Sequence, residues 1–109
     1  MRYLMISKPA ETTPPPDEKL YTEMAKWVNE LTAAGTLLAT GGLEPGGIRM
    51  VSRGEEISVT DGPFTEAKEQ AVGFALVEVR SKEEAVELAR RFRKLVGDGE
   101  SIIQQVFGP

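Results

Sequence analysis

Cysteine and histidine are both absent from the 109 residues of this chain. Their absence excludes a disulfide framework, a thiolate nucleophile, a zinc site with nitrogen and sulfur ligands, a Ser-His-Asp triad and a histidine general base. Any catalysis has to use carboxylates, lysine, tyrosine, serine or threonine hydroxyls, main-chain groups or a borrowed cofactor. Nothing in the sequence predicts a metal site.

A hydrophobic run long enough to cross a membrane is also missing, and the apolar start at Met1–Ile6 stops at Lys8-Pro9, too early for a secretory signal. We therefore expect a cytoplasmic protein without membrane contact. The length, with 40% apolar and 28% charged residues, predicts a single domain over residues 1–109. A net charge of −4 argues against a nucleic-acid partner.

The glycine pairs Gly41-Gly42 and Gly46-Gly47 stand in a loop-like segment. They lack both the Lys-Ser/Thr ending of a phosphate loop and a strand-to-helix setting. No dinucleotide motif is present elsewhere, so we expect no cofactor.

Periodicity and capping signals divide the chain into alternating strands and helices. Asp17 and Gly35 mark the ends of the first helix, and Ser81 with Glu84 forms a capping box for the second. The predicted elements, in chain order, are a strand at Arg2–Ser7, a helix at Glu18–Ala34, a possible short strand at Leu37–Thr40, a hairpin of Ile48–Ser52 and Glu56–Thr60, a strand at Val72–Val79, a helix from Ser81 to Gly97 and a strand at Ser101–Phe107.

Without the short segment at Leu37–Thr40, the order is β-α-β-β-β-α-β. It predicts an α+β fold in which two helices cover one face of an antiparallel sheet, the split β-α-β arrangement. The other face is then uncovered. Because it would carry bulky apolar residues, among them Phe74 and Leu76, we expect a homodimer that packs this open sheet face against its copy.

One segment carries a family resemblance. Residues 59–69, Val-Thr-Asp-Gly-Pro-Phe-Thr-Glu-Ala-Lys-Glu, followed by Gly73-Phe74, resemble the signature of YCII-related proteins of the DGPF type. Further features in the expected order are Tyr3-Leu4-Met5, Ala34-Gly35, Gly41-Gly42-Leu43, Arg49 and the helix from Ser81 to Val96. The resemblance covers almost the whole chain and implies a ferredoxin-like unit that forms a dimeric α+β barrel.

The resemblance implies less about function, since most DGPF-type proteins have no assigned reaction. The wider YCII group resembles enzymes with an Asp-His pair in a cleft, and one relative acts as a dehydrochlorinase on a hydroxylated aromatic compound. Without histidine this pair cannot form here. Proteins of the DGPF type also commonly accompany extracytoplasmic-function sigma factors in bacterial genomes, which implies a signalling or stress role.

The motif supplies most of the candidate site residues. Asp61 is either a general base or ligand-holding acceptor in a cleft, or a carboxylate that caps the following turn. Phe64 either anchors the turn in the core or lines a pocket for an aromatic ligand. Glu66 and Lys68 form either a solvated helical face or the acid/base partners of Asp61.

Three candidates lie outside the motif. Arg49 alternates with apolar neighbours in its strand, so it either points to solvent or anchors an anion. Tyr3 and Met5 share one face of the first strand, where they either pack in the core or line the same pocket.

These residues predict a small anionic or aromatic ligand bound in a cleft near the turn at residues 61–69. One alternative is an acid/base enzyme that eliminates or isomerises a hydroxylated aromatic or a lactone, with Asp61 as base and Arg49 holding the anion. Another is an interaction module for a regulatory protein. The sequence does not decide whether the chain is an enzyme.

Overall fold

The computed structural model describes residues 1–10, 15–62 and 70–108. Its elements are β1 (Arg2–Pro9), α1 (Glu18–Ala33), β2 (Leu37–Gly42), β3 (Ile48–Arg53), β4 (Glu56–Asp61), β5 (Gly73–Glu78), α2 (Lys82–Val96) and β6 (Gly99–Val106).

Four strands form the main sheet, in the order β2-β5-β1-β6, with every neighbouring pair antiparallel. Tyr3 on the central strand β1 lies between Val77 of β5 and Gln105 of β6. This order, with α1 and α2 as the two crossovers, is the split β-α-β arrangement. The expected α+β fold with antiparallel pairing is confirmed.

Side-chain caps set the beginnings of both helices. The Asp17 Oδ1 atom accepts a hydrogen bond from the Leu20 amide at 2.8 Å, and the Ser81 Oγ atom accepts one from the Glu84 amide at 3.1 Å. Gly97 ends α2 with a φ of 87°, a conformation that glycine adopts without strain. Neither helix in the described ranges is long and apolar enough to cross a membrane.

The core lies on the helix-covered face of the main sheet. Tyr3, Leu37, Val77 and Val79 are buried there against Ala85 and Leu88 of α2. The register places the alternate residues on the opposite face, which no described helix covers. Five of its apolar members are half-buried: Leu4, Ile6, Phe74, Leu76 and Ile102. The open face therefore exists as expected, and the homodimer that would cover it stays a prediction.

The short strand that the sequence only suggests at 37–40 is a full edge strand, β2. Its pairing with β5 shifts register between Leu37 and Ala39, which interrupts the alternation of side chains. Farther along, Gly41 pairs with Phe74, and a Cβ added to Gly41 would lie 3.2 Å from the Phe74 ring. The bulge and the glycines explain why the sequence pattern of this strand is weak.

The predicted hairpin forms as β3 and β4, with Gly54 in its turn at a φ of 61°. It makes a separate two-stranded sheet rather than joining the main one. The structure thus has six strands in two sheets where the sequence pattern indicated five strands in one. The reason is that β2, not the hairpin, occupies the edge beside β5.

Candidate functional site

Helix α1 sits loosely on the main sheet. Its apolar stripe includes Met24, Trp27 and Leu31, yet none of its residues is fully buried. Helix α2, in contrast, buries Ala85 and Leu88. The result is a cavity of about 370 Å³ between the two helices and the sheet.

The cavity wall is almost entirely apolar. Small residues on the sheet, Gly73 and Ala75, leave the space that larger side chains would fill. The walls include Met24, Trp27, Val28 and Leu31 of α1, Leu88, Ala89 and Phe92 of α2, and Met5, Ser7, Thr40, Gly73, Ala75, Val77 and Ser101 of the sheet. None of the lining residues in the described part of the chain is ionisable, so the wall offers a ligand apolar contact and a few hydroxyl groups.

A polar end of the cavity is formed by Ser7 and Ser101, which are register partners on β1 and β6. The Ser7 Oγ atom accepts a hydrogen bond from the Arg93 Nη2 atom at 3.2 Å. Because that oxygen is already an acceptor for a cation, its proton is polarised and free to be donated to a ligand.

The Arg93 guanidinium behind Ser7 is poorly satisfied. Its Nε and Nη1 atoms are buried and find no hydrogen-bond partner among the described residues. Burial lowers the pKa of Arg93 from its ordinary value. The charge lies 5.0 Å from the centre of the Phe92 ring, which partly compensates it. A positive charge thus stands directly behind the cavity's hydroxyl.

An aromatic wall lines the helix side of the cavity. The rings of Trp27 and Phe92 are stacked with their centroids 6.3 Å apart and their planes inclined by 19°. On its outer side, Trp27 carries the Arg91 guanidinium 5.7 Å from its centroid. Stacked rings of this kind offer flat apolar surface to a planar ligand.

Two of the residues singled out in the sequence lie at or beside this cavity. Met5 lines it, and Tyr3, two residues away on the same face of β1, is buried in the core. Their shared face is as expected from the alternation of the strand.

Arg49 and Asp61 lie on the hairpin, away from the cavity wall. Arg49 pairs with Thr60 and is exposed on the polar face, together with Arg53 and Glu56. Asp61 pairs with Ile48, so it is on the opposite face and is also exposed. Within one chain, Asp61 and Arg49, the base and the anion holder of the hypothetical enzyme, therefore lie on opposite faces of the hairpin.

Phe64, Glu66 and Lys68 lie outside the described residues, so their expected roles stay predictions. Val72 and Gly73, which follow that segment in the sequence, both line the cavity.

No group of three acidic side chains within residues 1–10, 15–62 and 70–108 is placed to hold a metal ion. The described part of the cavity likewise presents no cluster of donors for a phosphate. The described wall presents an apolar concave surface, two stacked aromatic rings and one polarised hydroxyl group.

Trp27, Phe92 and Ser7 are not among the site residues that the sequence pattern predicted. The sequence does contain the apolar stripe of α1, with Met24, Trp27 and Leu31, and the small residues Gly73 and Ala75 of β5. Large apolar side chains on a helix that faces small residues on a strand are the signal that could have indicated a cavity.

Comparison with known proteins places the chain in a family. The model of the YCII-related domain matches residues 1–101. An uncharacterised protein of Rhizobium meliloti (strain 1021) is 36% identical over 77 residues, which are 68% of this chain and 61% of that protein's length. The match to the family model extends from β1 into β6 and so includes every wall of the cavity, and the chain belongs to the YCII-related domain family.

Proposed function

We propose that the protein binds a small aromatic molecule carrying one hydrogen-bond acceptor in the cavity between the helices and the main sheet. The observation that carries the proposal is the cavity of about 370 Å³ between the helices and the main sheet, whose described lining is apolar apart from a few hydroxyl groups. Ligand sites typically enclose about 300–1,000 Å³, with apolar walls and a few placed polar groups. This cavity is at the small end of that range and suits a single substituted ring.

The two ends of the cavity define the ligand class. The stacked rings of Trp27 and Phe92 favour a planar aromatic body. Ser7, held by Arg93, donates a hydrogen bond to an acceptor whose negative charge the guanidinium favours. A phenol, a phenolate or an aromatic carboxylate combines both features.

We also infer that the chain is of the DGPF type and that the ligand lies close to the point where the chain after the motif enters β5. Val72 and Gly73, which follow the motif, support this placement because they line the cavity. Binding is favoured over acid/base chemistry because no described lining residue is ionisable and Asp61 lies exposed on the hairpin.

The test uses the chain's single tryptophan, Trp27, which lines the cavity and reports binding by its fluorescence. Benzoate, phenol and toluene are titrated against the wild type and against Ala75→Leu, which fills the cavity. Ala25→Leu makes the same change at an exposed position of α1 and is the matched control. We expect saturable changes in the wild type and the control, and none in Ala75→Leu.

The acceptor site is tested with Ser7→Ala. Benzoate and phenol should bind more tightly than toluene in the wild type, and Ser7→Ala should weaken benzoate binding about tenfold, the loss expected for one charge-assisted hydrogen bond. Toluene binding should not change. The absence of a saturable signal from all three probes in the folded wild type would refute the proposed function.

We propose in addition that two copies associate through the open face of the main sheet. The half-buried apolar side chains of that face, including Phe74 and Leu76, support this arrangement. Leu76→Glu places a charge at the centre of the face and should dissociate the dimer.

A further inference from the structure

The β3–β4 hairpin is amphipathic, and its apolar face is uncovered. Cross-strand pairing places four apolar side chains on one face, each 59–70% exposed: Ile48, Met50, Ile57 and Val59. The other face is polar, with Arg49, Arg53 and Glu56 among its members. This alternation is typical of a strand pair with one face buried, yet here neither face is buried.

The hairpin stands apart from the rest of the chain. Eleven of its twelve strand residues are exposed, and it pairs with no other described strand. Its base is held by hydrogen bonds from the Gly62 amide to the Gly47 carbonyl, 2.7 Å, and from the Gly46 amide to the Gln70 Oε1 atom, 3.2 Å. The radius of gyration of 15.9 Å exceeds the roughly 13 Å expected for a compact domain of this length.

An isolated two-stranded hairpin is at best marginally stable in water. Four large apolar side chains on one of its faces add a contiguous exposed patch, which in monomeric proteins usually marks an interaction site. The hairpin therefore needs a surface on which its apolar face is buried.

We propose that the hairpin is an arm that packs its apolar face on a second copy of the same chain. The proposal rests on the inferred dimer through the open sheet face and extends it. In a two-fold symmetric dimer each copy supplies one arm and receives the other, so both apolar faces are covered in a single association. Asp61 lies on the apolar face of the hairpin, at its base, and is therefore part of the interface in this arrangement.

The areas involved favour a combined interface. Four strands about 4.8 Å apart, with six to eight residues each, give the open sheet face an area on the order of 400 Å². The two hairpin strands of six residues add about 200 Å² by the same geometry. A specific interface buries about 800 Å² of accessible surface from each partner, which is about twice the flat footprint of the sheet face and about four times that of the hairpin. The sheet face, the arm and the surface that receives the partner's arm together have a footprint of about 800 Å².

The test measures the dimer dissociation constant of the intact chain by sedimentation. Val59→Lys puts a charge on the apolar face of the arm, and Ser58→Lys puts the same charge on its polar face, one residue away in the same strand. Because the symmetric interface contains each site twice, we expect Val59→Lys to raise the dissociation constant about a hundredfold or more and Ser58→Lys to leave it unchanged. Ile57→Lys is a second variant on the apolar face.

A measurement without substitution guards against misfolding of the variants. Amide hydrogen exchange at 48–61 should slow in the wild type as the concentration is raised through the dissociation constant. Equal protection in dilute and concentrated samples overturns the arm.

The outcomes separate the proposals. A wild type that stays monomeric refutes both the sheet-face dimer and the arm. A dimer that Leu76→Glu dissociates but that Val59→Lys and Ile57→Lys leave intact refutes the arm alone. The same variants are also titrated with benzoate, phenol and toluene, and binding is followed by the fluorescence of Trp27. This titration tests the cavity proposal independently of the dimer.

Discussion

Arg93 of α2 and Ser7 of β1, 86 residues apart in the sequence, are joined by a hydrogen bond in which Nη2 donates to Oγ at 3.2 Å. The bond ties the second helix to the central strand at the polar end of the cavity. The same guanidinium leaves two buried nitrogens without a partner in the described chain. The contact therefore orients Ser7 at a cost in stability.

Replacement of this guanidinium should stabilise the fold. Arg93→Met keeps the length and the contact with Phe92 but removes two buried unsatisfied donors, each of which costs about 1–3 kcal/mol. After subtraction of the lost bond to Ser7, we expect the free energy of unfolding to rise by about 1 kcal/mol. Urea denaturation measures it.

Arg90→Met is the control, since Arg90 lies on the exposed side of α2 in an ion pair with Glu87 at 3.4 Å. Its effect should stay within about 0.5 kcal/mol. A marked destabilisation by Arg93→Met alone would mean that the buried nitrogens have partners in the folded protein.

Gly99, at the start of β6, should not tolerate a side chain. Its φ is +149°, and a Cβ there would meet the Arg93 Nη1 atom and would lie 2.7 Å from the Lys8 carbonyl oxygen. We expect Gly99→Ala to lower the free energy of unfolding by about 2 kcal/mol or more. Gly108→Ala has open space around it and should be neutral. Similar melting temperatures for the two variants would contradict this prediction.

Val77 is the largest fully buried side chain among the described residues, with 2% of its surface exposed. Val77→Ala removes two methyl groups from the core and should cost about 2 kcal/mol. Thr32→Ala, at an exposed position of α1, should cost less than about 0.5 kcal/mol. Chemical denaturation of both variants provides the comparison, and equal losses would show that Val77 is not a core position.

The cap of α1 matters more than usual because the helix has no fully buried residue. Asp17→Ala removes the acceptor of the Leu20 amide and should cost about 1 kcal/mol, while Asp17→Asn keeps an acceptor and should cost little. Hydrogen exchange in the first turns of α1 should accelerate in the alanine variant only. Acceleration in both variants would indicate that the charge matters rather than the hydrogen bond.

Local signals in the sequence predicted the helices well. The Asp17 and Ser81 caps and the glycines at 35 and 97 each act within a turn of their own position, so they can be recognised without the fold. The edge strand β2 was harder, because its bulge after Leu37 breaks the alternation on which strand prediction depends.

The site was harder still. A cavity is a relation among elements distant in the chain: Trp27 and Phe92 come from different helices, and Ala75 comes from the sheet that both helices cover. Met5 could be assigned to a face, but whether that face borders packed side chains or empty space depends on how closely α1 approaches the sheet. Periodicity reports which side of a helix is apolar, not its distance from the sheet.

The hydrogen bond from the Leu43 amide to the Val72 carbonyl, 3.0 Å, closes the base of the whole excursion between β2 and β5. Because those two strands are neighbours in the main sheet, the chain leaves and rejoins the fold at one point. The intervening segment can therefore lengthen, shorten or be exchanged during evolution without any change in the pairing of the main strands. The hairpin and the main sheet are in this sense built by separate parts of one small chain, and each is free to diverge under its own selection.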